Sequence, residues 1–239
     1  MKQTKLLQSG KVKSVFETDD IGRLIVEFRD DITAFDGGKK DTLKGKGSCN
    51  AAVSSFFFQL LEKQGIKTHF IGMLDDTRME VRRLSMIPLE VIVRNYAAGS
   101  LVRNYPFKEG QKLHPPLVVL DYKDDSRHDP MINDEIIAAL GIATPRELET
   151  IKETALLVNR HLSAFLAGQG ITLVDFKLEF GKAGKTIYLG DEISMDSMRL
   201  WDKKTKESLD KDVYRFDRGD VMEVYARVLH RISSGGNYP

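Results

Sequence analysis

The run Leu173-Val174-Asp175-Phe176-Lys177-Leu178-Glu179-Phe180-Gly181 constrains the fold more than any other part of the chain. Apolar and ionisable side chains alternate through it with a period of two, which a strand sorts onto opposite faces and a helix does not. Val174, Phe176, Leu178 and Phe180 must therefore face a core. Asp175, Lys177 and Glu179 share the other face at intervals of about 6.6 Å, lining either open solvent or a cleft. A second strand over 186–191 returns through a Gly181-Lys182-Ala183-Gly184 turn and ends in Gly190-Asp191-Glu192, bringing two more carboxylates to the hairpin. Carboxylates beside a lysine suit magnesium and a polyphosphate, because the hard cation takes oxygen ligands while lysine neutralises phosphate oxygens. Spacing alone does not fix the register, so which carboxylates meet stays open.

The rest of the chain supplies an α+β setting. Lys11, Lys13 and Val15 alternate with Val12, Ser14 and Phe16, and Leu24, Val26 and Phe28 form one face of the next strand. Residues 36–48 hold four glycines and four lysines and read as a mobile loop. A helix follows, with Ala52, Val53, Phe56, Phe57, Leu60 and Leu61 on its apolar side and a stop at Gly65. Residues 78–94 turn extended, and Asn133 opens a short helix that ends at Gly141. Thr144, Pro145 and Glu147 mark the start of the clearest helix, whose stripe Leu148, Ile151, Ala155, Val158, Leu162 and Phe165 runs to Gly168. Asp220 and Glu223 cap a last helix with Val221, Val224, Val228 and Ile232 inward, and 233–239 reads as a frayed tail. Residues 101–113 carry no pattern. The expected architecture is a strand-rich N-terminal lobe over 1–84 and a mixed C-terminal lobe over 85–239, forming one catalytic unit.

Thirty-six basic and 35 acidic side chains leave a formal charge of +1, without the basic excess that nucleic-acid binding needs. A lone cysteine, Cys49, excludes an internal disulfide, and at the start of an apolar helical pattern it reads as a packed residue. One Cys with five scattered His argues against structural zinc. Residues 1–10 lack the apolar centre of a signal peptide, and no run reaches the ~20 apolar residues of a membrane helix. These features lead us to expect a soluble, cytoplasmic protein that does not bind membranes. No Gly-x-x-x-x-Gly-Lys-Ser/Thr or Gly-x-Gly-x-x-Gly run is present. A bound nucleotide must therefore lie between a sheet and a second lobe, with strand lysines such as Lys11 and Lys13 on its phosphates. Glu90 and Arg94 share a strand face ahead of Gly99-Ser100, a set that suits a phosphate seat.

Two segments, 87–100 and 173–181, resemble the diagnostic motifs of the SAICAR synthetase family. The remaining order matches too: Gly10-Lys11-Val12-Lys13 is similar to the family's opening strand, Thr33-Ala34-Phe35-Asp36 to its mobile loop and His128-Asp129-Pro130-Met131 to its central motif. Gly190-Asp191-Glu192, Asp196-Ser197, Arg199-Leu200-Trp201-Asp202 and Asp210-Lys211-Asp212 resemble its C-terminal motifs, so the likeness spans residues 8 to about 230. The resemblance implies an ATP-dependent ligase that condenses carboxyaminoimidazole ribonucleotide (CAIR) with L-aspartate through an acyl phosphate, in a nucleotide cleft between lobes. By the same resemblance, Lys11, Lys13 and Lys177 meet ATP phosphates, and Glu179 and Asp191 hold Mg2+. The adenine sits against Val81, Arg82, Leu84 and Met86. Arg94, Ser100 and Arg199 grip the CAIR phosphate, Asp196 its ribose, and Glu90 and Asp175 its imidazole end. Lys123, Asp129, Lys211 and Arg215 line the aspartate pocket, and the enzyme is a homodimer. Met195 and Met198 stand where relatives carry Pro and a small residue. A small-molecule or lipid kinase, which shares the strand lysine and metal-binding acids, is the alternative activity, and a non-catalytic nucleotide sensor the alternative role.

Overall fold

In the computed structural model, which describes residues 2–235, the chain opens with β1 (Gln3–Ser9), β2 (Lys13–Thr18) and β3 (Arg23–Phe28). A hairpin of β4 (Asp31–Ala34) and β5 (Lys39–Thr42) leads into helix α1 (Lys46–Lys63). Strands β6 (Phe70–Met73) and β7 (Arg78–Arg82) complete an antiparallel sheet in the order β1-β2-β3-β7-β6. The chain then crosses to a second sheet through β8 (Ser85–Tyr96), α2 (Ser100–Asn104), β9 (Lys112–Tyr122), α3 (Asp134–Ala139) and α4 (Pro145–Gly168). It is completed by β10 (Ile171–Ala183), β11 (Thr186–Gly190), β12 (Met198–Asp202), α5 (Asp212–Arg215) and α6 (Val221–Ser234).

The long alternating run lies in β10, the centre of the second sheet. On one edge β10 pairs with β8; on the other, its first half pairs with β12 and its second half with β11. The capping box at Thr144 and Glu147 forms as the sequence predicts, and the apolar stripe of α4 is buried as that helix packs across β8, β9 and β10. Removing each of its Leu, Ile, Val and Phe side chains from water contributes about 1.5–3 kcal/mol. Helix α1 packs on β3, β6 and β7 and also meets α4 and α6, so the buried apolar side chains of both sheets form one cluster running from Leu24 to Ile232. Met195 and Met198 are buried in it. Cys49 is buried too, and burial pushes its thiol up to about 11, which leaves it no nucleophilic role.

Several expectations are corrected. Residues 36–48 are not a loop: β5 pairs with β4, and α1 begins at Lys46. The Asp30 carboxylate supplies the missing reason, accepting the Gly45 and Gly47 N–H groups at 3.1 and 2.9 Å and capping α1 from another element. The β10–β11 turn is the two-residue Gly184-Lys185, with Ala183 opposite Thr186, so Gly181 is a strand residue. Strand β11 stops at Gly190, placing Asp191 beyond it. Lys11 lies ahead of β2, in the turn closed by Gly10 N–H to the Lys13 carbonyl at 2.8 Å, so the two lysines do not share a strand face. The 78–94 stretch is β7 and part of β8, and the patternless 101–113 contains most of α2 and the start of β9. Ser233 and Ser234 close α6, while 236–239 of the expected tail lie outside the described residues.

Candidate active site

Strand pairing assembles the polar face of β10 side by side with that of its neighbours, because residues opposite one another in an antiparallel pair point the same way. Arg94 on β8 and Arg199 on β12 stand on either side of Asp175, and Glu90 and Gly190 on either side of Glu179. Asp175 and Glu179 are 6% and 3% exposed, so this face is enclosed, not turned to bulk water. Two clusters result, one above the other along β10.

The first is built on lysines and carboxylates. Lys177 Nζ donates to Glu90 at 2.6 Å and to Glu179 at 2.9 Å, and Lys123 reaches the other oxygen of Glu179. Lys13, from the first sheet, meets Asp191 at 2.5 Å and Glu192 at 3.0 Å. Burial pulls the Lys177 ammonium down, but the charges of Glu179, Glu90 and Asp191 outweigh it and hold it protonated. Lys13 behaves alike: the pull of burial is exceeded by Asp191 and Glu192. Burial pushes Asp191 up, yet Lys13 and Lys177 drive it well below the carboxylate range. Such a set of fixed charges can lie along polyphosphate oxygens. Among the described residues no group of three or more metal-ligating side chains converges. A pair such as Glu179 and Asp191 nevertheless fits magnesium, which takes one or two carboxylates and fills its octahedron with water and phosphate oxygens.

The second cluster carries guanidiniums. Arg94 donates to Asp175 at 2.9 Å and to the Ser100 hydroxyl at 2.9 Å, while Arg199 meets Asp175 at 2.6 Å and Asp212 at 2.7 Å. Arg215 also bonds to Asp212, at 2.6 Å. The Arg94 Nε is buried without a hydrogen-bond partner among the described residues. Three guanidiniums beside a hydroxyl, set against Asp175, Asp212 and the buried Asp210, whose carboxyl burial and the Asp212 charge push up to about 7, suit a phosphomonoester. Gly99 is what lets them gather: its φ is +59°, and a Cβ there would lie 2.8 Å from Arg199 Nη2. Burial raises the Asp175 carboxyl against the opposing pull of Arg199 and Arg94.

Other candidates fall elsewhere. Lys11 reaches Asp125 at 3.0 Å on the loop after β9. The Asp196 side chain is 4% exposed and engaged by Lys46 at 2.7 Å and the Tyr225 hydroxyl at 2.7 Å. Lys211 is buried close to both, and burial lowers its pKa. Asp129 accepts the Asp124 N–H at 2.8 Å and shapes its own loop. Lys123, expected beside an amino-acid pocket, belongs to the lysine cluster through Glu179. In the 81–86 crossing, Val81 is buried in the core, and Leu84 and Met86 cover Gly181 and Gly190, next to Glu179 and Asp191. Missing from the sequence reading were Asp121, Lys46 and Tyr225, while Glu192 and Asp212 stood in it only as members of motifs. Asp121 lies directly across from Glu90, a pairing that was readable only once β9 had been recognised as a strand.

The whole chain is similar to known proteins. The family model described as SAICAR synthetase matches residues 6–232. The chain is 74% identical over 233 residues to phosphoribosylaminoimidazole-succinocarboxamide synthase of Methanoregula boonei, covering 98% of this chain and 91% of that one. It is 64% identical to the same enzyme of Methanoculleus marisnigri, covering 98% and 97%. A solved SAICAR synthetase in complex with ADP superposes with a TM-score of 0.92 at 53% identity, over 97% of this chain and 98% of that one. A Pyrococcus horikoshii SAICAR synthetase gives 0.90 at 54% identity, over 95% and 99%.

Proposed function

The chain belongs to the SAICAR synthetase family, and on that premise we propose that its lysine–carboxylate cluster seats Mg·ATP and its guanidinium cluster seats the phosphate of the ribonucleotide. The reaction is the ATP-dependent condensation of CAIR with L-aspartate in purine biosynthesis. A carboxylate resists amines because its charge is delocalised and its leaving group would be oxide. Phosphorylation converts it to an acyl phosphate that the aspartate amine attacks, releasing phosphate. What the protein must supply is alignment of two anions and relief of their repulsion.

The observation that carries the site reading is the register of β10, which puts a phosphate-type cluster at Asp175 two positions from a nucleotide-type cluster at Lys177 and Glu179. CAIR bound by Arg94, Ser100 and Arg199, with Glu90 and Asp175 toward its imidazole, extends its carboxylate along the strand toward the γ-phosphate held by Lys13 and Lys177. Asp196, pinned by Lys46 and Tyr225, supports the floor under the ribose. Lys11 and Lys123 border the phosphates, and Val81, Arg82, Leu84 and Met86 form the adenine wall. Lys211 and Arg215 line the approach for aspartate, with Asp129 shaping the rim. Mg2+ on Glu179 and Asp191 would neutralise phosphate charge. Residues 1–84 and 85–239 act as the two walls of this cleft. A homodimer and a cytoplasmic location complete the reading; among the described residues no helix is long and apolar enough to cross a membrane.

The test is ADP release by the purified protein, measured with CAIR, with aspartate and with both. Release that requires both, with disappearance of the amine, is expected. Stable phosphorylated CAIR accumulating without aspartate would favour the kinase reading instead.

A further inference from the structure

Helix α5 has four residues, too few to persist on its own hydrogen bonds, yet it carries much of the guanidinium cluster. Its first residue, Asp212, accepts from Arg199 and from Arg215, the last residue of the same helix. Asp210 steadies its start by accepting the Asp212 N–H at 2.7 Å. Further support comes from β5, a strand of the distant β4–β5 hairpin.

Lys39 and Asp41 stand two apart on β5, hence on one face, and both meet the buried Tyr214 of α5. The Lys39 ammonium donates to the Tyr214 carbonyl at 2.7 Å and lies 4.4 Å from the centre of the Tyr214 ring. That carbonyl is among those a helix end leaves without an internal donor, so Lys39 supplies what α5 lacks. The Tyr214 hydroxyl donates to Asp41 at 2.8 Å. Phe216, next after the helix, meets Phe35 of the hairpin edge-on at 6.4 Å. Lys39 also pairs with Asp217 at 2.5 Å, but that carboxylate is exposed and the pair contributes little. The grip therefore lies in the ammonium on the ring and carbonyl, and in the phenol on Asp41.

We propose that Lys39 and Tyr214 are positioning residues for the ribonucleotide: through them the β4–β5 hairpin grips α5 and fixes the Asp212 carboxylate that aims Arg199 and Arg215 at the phosphate. Neither residue touches the substrate. The inference rests on the proposed reading of the guanidinium cluster as a phosphate seat.

Steady-state kinetics with CAIR and ATP varied in turn test it. Lys39→Met should raise the KM for CAIR about tenfold, within the hundredfold that a remote misplacement of about 1 Å can cost. The KM for ATP should stay near normal, the split expected when ground-state binding of one substrate is lost. Lys39→Arg, which still reaches the ring and the carbonyl, should recover most of the loss, and Tyr214→Phe, which releases only Asp41, should give a smaller rise. A normal KM for CAIR in Lys39→Met, or equal rises for CAIR and ATP, would overturn the role of the hairpin alone. Arg199→Lys, run in parallel, should raise the KM for CAIR steeply; an unaffected value there would sink the phosphate seat and the inference with it. Should Lys39→Met not fold, amide exchange of the wild-type protein decides. A grip that favours CAIR is favoured by CAIR in return, so saturating CAIR should slow exchange in residues 39–42, and unchanged exchange there would refute the proposal.

Discussion

Lys177 shows how far a single residue could be read in advance. Its period-two placement between Asp175 and Glu179 announced a shared face, and its bonds to Glu90 and Glu179 are what that face becomes once β8 lies alongside. Replacing it with Ala should lower kcat by about 10²–10³, the scale of losing one fixed donor at developing charge. Thermal stability should move little, since Lys123 still faces Glu179. A steady-state ADP assay with a melting curve checks both, and near-normal turnover would remove Lys177 from the chemistry. Asp121 was not legible, because its strand lacks clean alternation, yet it is the residue with the most telling titration. Burial pushes its carboxyl up to about 6, with the Glu90 and Asp129 charges adding and Arg94 opposing. A carboxyl raised in the fold contributes its stability while protonated. That contribution is full below the unfolded value of about 4 and is lost as pH climbs through 6. Asp121→Asn should therefore flatten the stability–pH curve between 4 and 7. After discounting for solvent screening the change is on the order of 1 kcal/mol, measurable by urea titration at several pH values.

At the scale of elements, the sequence was legible where a rule is local. The capping box, the α4 stripe and the β10 alternation each need only neighbouring residues. Helix α1 was misplaced at its start because its cap comes from Asp30, fifteen and seventeen positions before the two N–H groups it accepts. The glycines of 36–48 looked like flexibility for the same reason, although Gly47 is there for contact. A Cβ on Gly47 would lie 2.6 Å from the Phe28 carbonyl oxygen, against backbone that cannot turn aside. Gly47→Ala should thus destabilise by about 1–3 kcal/mol, as inserted bulk in a packed contact does. The opposite outcome, a stabilised helix of the kind Gly→Ala gives at open helical sites, would mean that α1 does not dock so closely. Denaturant unfolding separates the two.

For the molecule as a whole, the boundary proposed at residue 84 does not divide the core. The apolar cluster is continuous through both sheets, and α1, which belongs by sequence to the first lobe, is tied to the second by an ion pair no local pattern revealed. Lys46 and Asp196 lie 2.7 Å apart at 1% and 4% exposure. Two charges so enclosed add little net stability as a pair, but either one left alone is buried without compensation. Lys46→Met should therefore cost about 3–5 kcal/mol, and the double variant Lys46→Met, Asp196→Leu should regain part of it. The same continuity predicts that the lobes unfold together. Far-ultraviolet dichroism reports both sheets, while Trp201 on β12 reports the second, and in urea their transitions should coincide. Two separated midpoints would show that residues 1–84 fold as an independent unit. The Lys46–Asp196 pair would then join two finished domains instead of helping to build one.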